Sequence, residues 1–147
     1  MIQHCRAYRE IAKRLIRTLP EFEDLRELGP RIAYLRSSKE KRKNYQTVFA
    51  ECCKPDEKYA WCCPYDFFII VYGPNVERFN DSQMETLIRH ELHHVGVMYT
   101  DQGPEYFIRP HDVEEFWEII NNCGLHWSDT DAAGRKSEQQ RESETRL

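Results

Sequence analysis

The run Phe67-Phe68-Ile69-Ile70-Val71-Tyr72, entered from Asp66 and closed by Gly73-Pro74-Asn75, constrains this chain more than any other feature. It is too short for a capped helix. Its β-branched and aromatic residues favour a strand over Asp66–Tyr72. Apolar side chains at every position, rather than every second one, predict a strand buried on both faces. Such a strand needs partners on its edges and cover on its faces, and the rest of the sequence must supply both.

Two helical patterns offer the cover. Cys5, Tyr8, Ile11, Ala12, Leu15, Ile16 and Leu19 recur at three- and four-residue intervals, which predicts an amphipathic helix over 4–19, stopped by Pro20. Beyond the strand, a helix is expected to start near Asn80-Asp81-Ser82, where Ser82 and Glu85 have the spacing of a capping box. Met84, Leu87, Ile88, Leu92 and Val95 then give a helix a broad apolar surface, with Gly96 at its end. A short helical piece is expected over Glu21–Leu28, before Gly29-Pro30. Strand character recurs in Arg31–Leu35 and in Tyr45–Cys53, and Lys58–Cys63 is expected to return as the hairpin partner of the latter. Tyr106–Arg109 reads as extended, and a last helix is expected from His111 or Asp112 to Asn121. Helices and strands in this mixture predict an α+β fold. One domain is expected over 1–128. From Asp129 the residues are almost all polar, and 129–147 is expected to be a disordered tail.

Charge narrows the partners. With 21 Lys and Arg against 25 Asp and Glu, the net charge is -4, which gives no global reason to expect nucleic acid. The basic loop of Arg36, Lys39, Lys41, Arg42 and Lys43 and the acidic Glu114, Glu115 and Glu118 read as solvated surface. No apolar run approaches a membrane span, and the N-terminal residues Met1-Ile2-Gln3-His4-Cys5-Arg6 lack a signal-peptide core. A cytoplasmic location is the expectation, with the six cysteines reduced.

The chemistry lies in His90-Glu91-Leu92-His93-His94. His90 and His94, four apart on a helix, share one face and can grip one zinc ion, with Glu91 close enough to reach a water on the metal. A catalytic zinc needs a third protein ligand and an open position. His111 is the leading candidate, at the mouth of the next predicted helix, with Glu114 and Glu115 as carboxylate rivals. His93 reads as a neighbour of the site rather than a ligand, and His4 and His126 as structural. Tyr72, Tyr106 and Arg109 are candidate oxyanion donors, and Asp112 or Glu115 could orient a ligand imidazole.

Three stretches carry a resemblance to a known family: Pro64–Tyr72, Arg89–Gly96 and Arg109–Phe116, the last with the pattern Arg-Pro-His-Asp-x-x-x-Phe. In their order and spacing they resemble the putative phage metallopeptidase family, over residues 30–128. The resemblance implies a zincin-like fold, a compact relative of thermolysin-like peptidases with a small antiparallel or mixed sheet packed on the active-site helix. It also implies a zinc site of His90, His94 and His111, a catalytic Glu91 acting as general base, and a peptide or protein substrate in the host-cell cytoplasm.

Two readings from other classes compete with a peptidase. One is a binding protein that keeps the fold and cleaves nothing. The other is a zinc-stabilised nucleic-acid-binding module, with Cys52-Cys53 and Cys62-Cys63 facing each other across the predicted hairpin. Adjacent cysteines on a strand point to opposite faces, so one ion could not easily take all four. Reduced, partly buried thiols are the simpler expectation.

Overall fold

The computed structural model describes residues 1–128; the predicted polar tail, 129–147, lies outside the described residues. The chain divides into two compact units, Met1–Pro110 and the part from His111 onward.

The first unit opens with β1 (Ile2–His4), α1 (Arg6–Thr18), a 3-10 turn over Pro20–Phe22 and α2 (Glu23–Leu28). There follow β2 (Ile32–Ser37), the short β3 (Arg42–Lys43) and β4 (Gln46–Thr47), β5 (Ala50–Cys53) and β6 (Phe67–Tyr72). It closes with α3 (Asp81–His93), β7 (Val95–Thr100) and β8 (Gly103–Ile108). A mixed four-stranded sheet has the order β1-β2-β6-β5. Its central pair, β2 and β6, is parallel, and both outer pairings are antiparallel. β3 with β4, and β7 with β8, form separate two-stranded hairpins. This α+β arrangement, with small sheets and four helices among the described residues, is compatible with a zincin-like fold.

α1 follows its predicted stripe. Tyr8, Ala12 and Leu15 are buried, and Cys5, Ile11, Ile16 and Leu19 pack at the margin of the core. Pro20 has no N–H for an α-helical bond, so the chain leaves the helix at Leu19 and enters the 3-10 turn. α2 stops at Gly29, whose φ of 54° suits a residue without a β-carbon.

The β6 run behaves differently from expectation. Phe67, Ile69 and Val71 are fully buried, whereas Phe68, Ile70 and Tyr72 are only half-buried. The helix-covered face is the one that holds the core with Ile88 and Leu92 of α3. The other face meets partial cover, such as the Tyr65 ring beside Phe68 and the Glu51 carboxylate on the Tyr72 hydroxyl.

Four other expectations need correction. Lys58–Cys63 is not a strand. Asp56 caps a 3-10 turn at Glu57–Tyr59, and the N–H groups of Cys62 and Cys63 donate to the Tyr59 carbonyl. β5 pairs with β6 instead, placing Cys52 beside Ile69 and Cys53 beside Phe68. His4, expected as the first residue of the first helix, instead ends β1, which pairs with β2. α3 is capped two residues earlier than predicted, by Asn80 and Gln83 bonding reciprocally. Gly96 is not a helix stop but a β7 residue opposite Phe107.

In the second unit, α4 covers only Trp117–Cys123, and residues 111–116 are not helical. No residue of α4 is buried. A run of helical spacing without an apolar face to bury has little to hold it in a helix. Among the described residues, no helix is long and apolar enough to cross a membrane.

Candidate metal centre

α3 supplies the site. Its capping box satisfies the first turn and its buried side chains Ile88 and Leu92 lock its rotation against the sheet. With that rotation fixed, the 100° step between residues decides what faces what. Leu92 goes into the core, Glu91 lies at its margin, and His90 and His94 emerge together one turn apart. Their rings meet edge to face, with centroids 5.1 Å apart.

Glu91 is 4% exposed. Its Oε2 has no hydrogen-bond partner among the described residues. Burial, and then the Glu51 carboxylate, push its pKa up to about 7. A buried carboxylate oxygen without a donor is costly and is found where something else is to meet it. Glu51 itself belongs to a cluster on β5. Lys41 Nζ donates to its Oε1 at 2.6 Å, and the Tyr72 hydroxyl donates to its Oε2 at 2.7 Å. Burial pushes Glu51 up, but the hydrogen bonds from Lys41 and Tyr72 outweigh it and hold the group below its ordinary value.

The ring of His94 is oriented by the backbone. Its Nδ1 lies 2.6 Å from the Arg109 carbonyl oxygen, which can only accept, so the proton sits on Nδ1 and the ring's lone pair on Nε2. The Arg109 N–H donates back to the His94 carbonyl at 2.9 Å, extending the β7–β8 ladder by one rung. Asp112 and Glu115 were the side chains expected to orient an imidazole. For His94 the group is a main-chain carbonyl, which no inventory of side chains reveals.

Each of His90, His94 and His111 offers a ring nitrogen, and these atoms lie within 4.8 Å of one another, a group that can hold a metal ion. Tetrahedral coordination at about 2.0–2.1 Å places ligand nitrogens roughly 3.4 Å apart. Three imidazole nitrogens are a donor set that suits a divalent transition-metal ion, zinc among them. The carboxylate rivals do not join the group. Glu115 accepts from the Phe116 N–H and from Trp127 Nε1, which ties it to the start of α4. His111 precedes α4 by several residues rather than opening it.

The other candidates have the following neighbours. Tyr72 is engaged by Glu51, and the Tyr106 hydroxyl points to the Leu28 carbonyl at 3.4 Å. The Arg109 guanidinium lies on His93, with Nη1 3.4 Å from Nδ1. His93 in turn meets Glu21. The cysteines form no metal-ligand group among the described residues. All six are free thiols, and burial, followed by the Glu91 and Cys53 charges, pushes Cys52 up to about 12.

A groove of about 540 Å³ runs beside the site, between α3 and the β4–β5 segment. Val48, Phe49, Phe79 and Leu87 line it, with His90 and Glu91 at one margin. The family model described as putative phage metallopeptidase matches residues 1–139. No curated protein and no solved structure matches the chain.

Proposed function

Because the chain belongs to the putative phage metallopeptidase family, we propose that it is a phage- or prophage-encoded zinc peptidase, with His90, His94 and His111 holding the metal and Glu91 as general base. The observation that carries this reading is the convergence of three imidazoles beside a buried carboxylate with an unpaired oxygen. A bound zinc supplies a Lewis acid that polarises a carbonyl and acidifies water. The chain's own residues do the rest. His94, held by the Arg109 carbonyl, presents Nε2 in a fixed direction. Glu91 Oε2 takes a proton from the attacking water and returns it to the leaving amine; an affinity for protons near neutrality suits both transfers.

The groove supports a polypeptide substrate. β5 is an edge of its sheet, with no strand on its outer side among the described residues. An extended peptide can pair with such an edge through its backbone, which would carry its carbonyls past His90 and Glu91. The four-cysteine hairpin of the nucleic-acid alternative does not form, since β5 with Cys52 and Cys53 pairs with β6, and Cys62 and Cys63 lie outside any strand.

Metal analysis and one substitution test the proposal. One zinc per chain is expected, lost in His90→Ala and His94→Ala and kept in a Cys52→Ser, Cys63→Ser double variant. Glu91→Gln should keep the zinc and lose hydrolysis of a fluorogenic casein or a pooled peptide library. Zinc without cleavage in the parent would favour the non-catalytic binding protein. Undiminished cleavage by Glu91→Gln would remove Glu91 from the mechanism.

A further inference from the structure

The His-Glu-Leu-His-His run contains one histidine that the metal reading leaves unused. His93 sits one residue before a proposed ligand, on a face of α3 shared with Arg89. Its Nε2 lies 2.6 Å from Glu21 Oε2, and the other Glu21 oxygen takes Arg89 Nη2 at 2.5 Å. On its opposite side, His93 Nδ1 faces Arg109 Nη1 at 3.4 Å. The carboxylate can only accept and the guanidinium can only donate. An imidazole with its proton on Nε2 satisfies both neighbours.

Glu21 is itself well placed. It lies in the 3-10 turn forced by Pro20, and the next residue, Phe22, is 2% exposed and meets the His93 ring at a tilt of 48°, with centroids 4.9 Å apart. The contacts therefore run from an anchored turn, through Glu21 and His93, to the side chain of Arg109. The backbone of that same Arg109 holds His94 by two hydrogen bonds.

We propose that Glu21 and His93 are positioning residues for His94: they fix Arg109, and so the carbonyl that orients the ligand imidazole. The hairpin shows where such a tie acts. Val95 is buried, Val97 and Tyr106 pack against the core, and Lys54 donates to the Tyr106 carbonyl. Arg109 lies just past the end of β8, beside the exposed Phe107 and Ile108, and among the described residues β8 has β7 as its strand partner. The contact of the Arg109 side chain with His93 adds a tie between that end of the hairpin and the helix that carries the ligand.

This inference rests on the zinc reading, and the experiment separates the two. Zinc affinity of the full chain is measured by competition with a chromogenic chelator, for the parent, Glu21→Ala, His93→Leu and the double variant. The visible spectrum of the cobalt-substituted protein and the melting temperature of the metal-free chain are recorded alongside. Each single variant should weaken zinc binding about tenfold, the lower end of what loss of a direct partner of a ligand costs. The double variant should lose no more than about threefold further, because both residues act through one line of contacts. The cobalt bands should shift in all three. Unchanged affinity and bands with a lowered melting temperature would show a purely structural role and overturn the inference, as would fully additive losses. A parent that binds no zinc would instead overturn the metal reading, and this inference with it. Should Glu21→Ala fail to fold, Glu21→Gln keeps the shape, removes the charge and is read in the same way.

Discussion

Burial sets Glu91 apart from the other charged residues of α3. Leu92, its neighbour, is buried at no cost, whereas Glu91 enters the same interior with an unpaired oxygen. Its pKa is raised from 4.5 to about 7, by burial first and the Glu51 carboxylate second. The folded metal-free chain therefore holds a proton that the unfolded chain has already released. That contribution is complete below about pH 4.5 and gone above about pH 7, and amounts to about 3 kcal/mol at most. Urea unfolding of the metal-free parent and Glu91→Gln from pH 4 to 8 should show it. The parent should lose stability relative to the variant as pH rises, and a constant difference would contradict the assignment. At this scale His90, Glu91 and His94 were legible because helical spacing alone puts them together. The Arg109 carbonyl and Glu21 were not. A main-chain acceptor has no sequence signature, and Glu21 lies 72 residues from His93.

Among the elements, α3 depends on how it begins. Asn80 and Gln83 satisfy its first turn, although Ser82 and Glu85 have the same spacing. The earlier pair takes the role because Asp81 and Ser82 are already helical, with the Ser82 carbonyl accepting from the Thr86 hydroxyl. Asn80→Ala should destabilise the protein by about 1 kcal/mol, read as a lowered melting temperature, whereas Ser82→Ala should leave it nearly unchanged. In the β7–β8 hairpin the critical position is Gly96. A β-carbon there would lie 2.6 Å from the Phe107 ring. Gly96→Val should cost about 1–3 kcal/mol by overpacking, and Phe107→Ala in the same chain should recover part of it. Additive losses in chemical denaturation would show that the two do not meet. Strand pairing was the weakest part of the sequence reading. Lys58–Cys63 has strand-like residues, but Asp56 turns the backbone and the more apolar β6 takes β5 as its partner.

On the scale of the whole molecule, the proposed metal joins residues that are far apart in the chain, so binding and folding should be linked. Zinc at about a thousand times its dissociation constant should stabilise the chain by about 4 kcal/mol, seen as a higher melting temperature that a chelator reverses. His90→Ala should abolish that shift, and a shift that persists would place the zinc elsewhere. The sequence alone determined the α+β class, the run of α1, the strand at β6, the helix bearing the histidines and the family likeness. Each of these depends on local spacing or on an ordered motif, which a linear reading can count. Only the tertiary structure decided that one face of β6, rather than both, is fully buried, because the helices cover a single side of the sheet. It alone decided that β6 rather than Lys58–Cys63 pairs with β5, and that a backbone carbonyl at the end of a hairpin aims His94. Those outcomes depend on competition between distant segments for the same edge, face or hydrogen bond, and spacing along the chain carries no record of who wins.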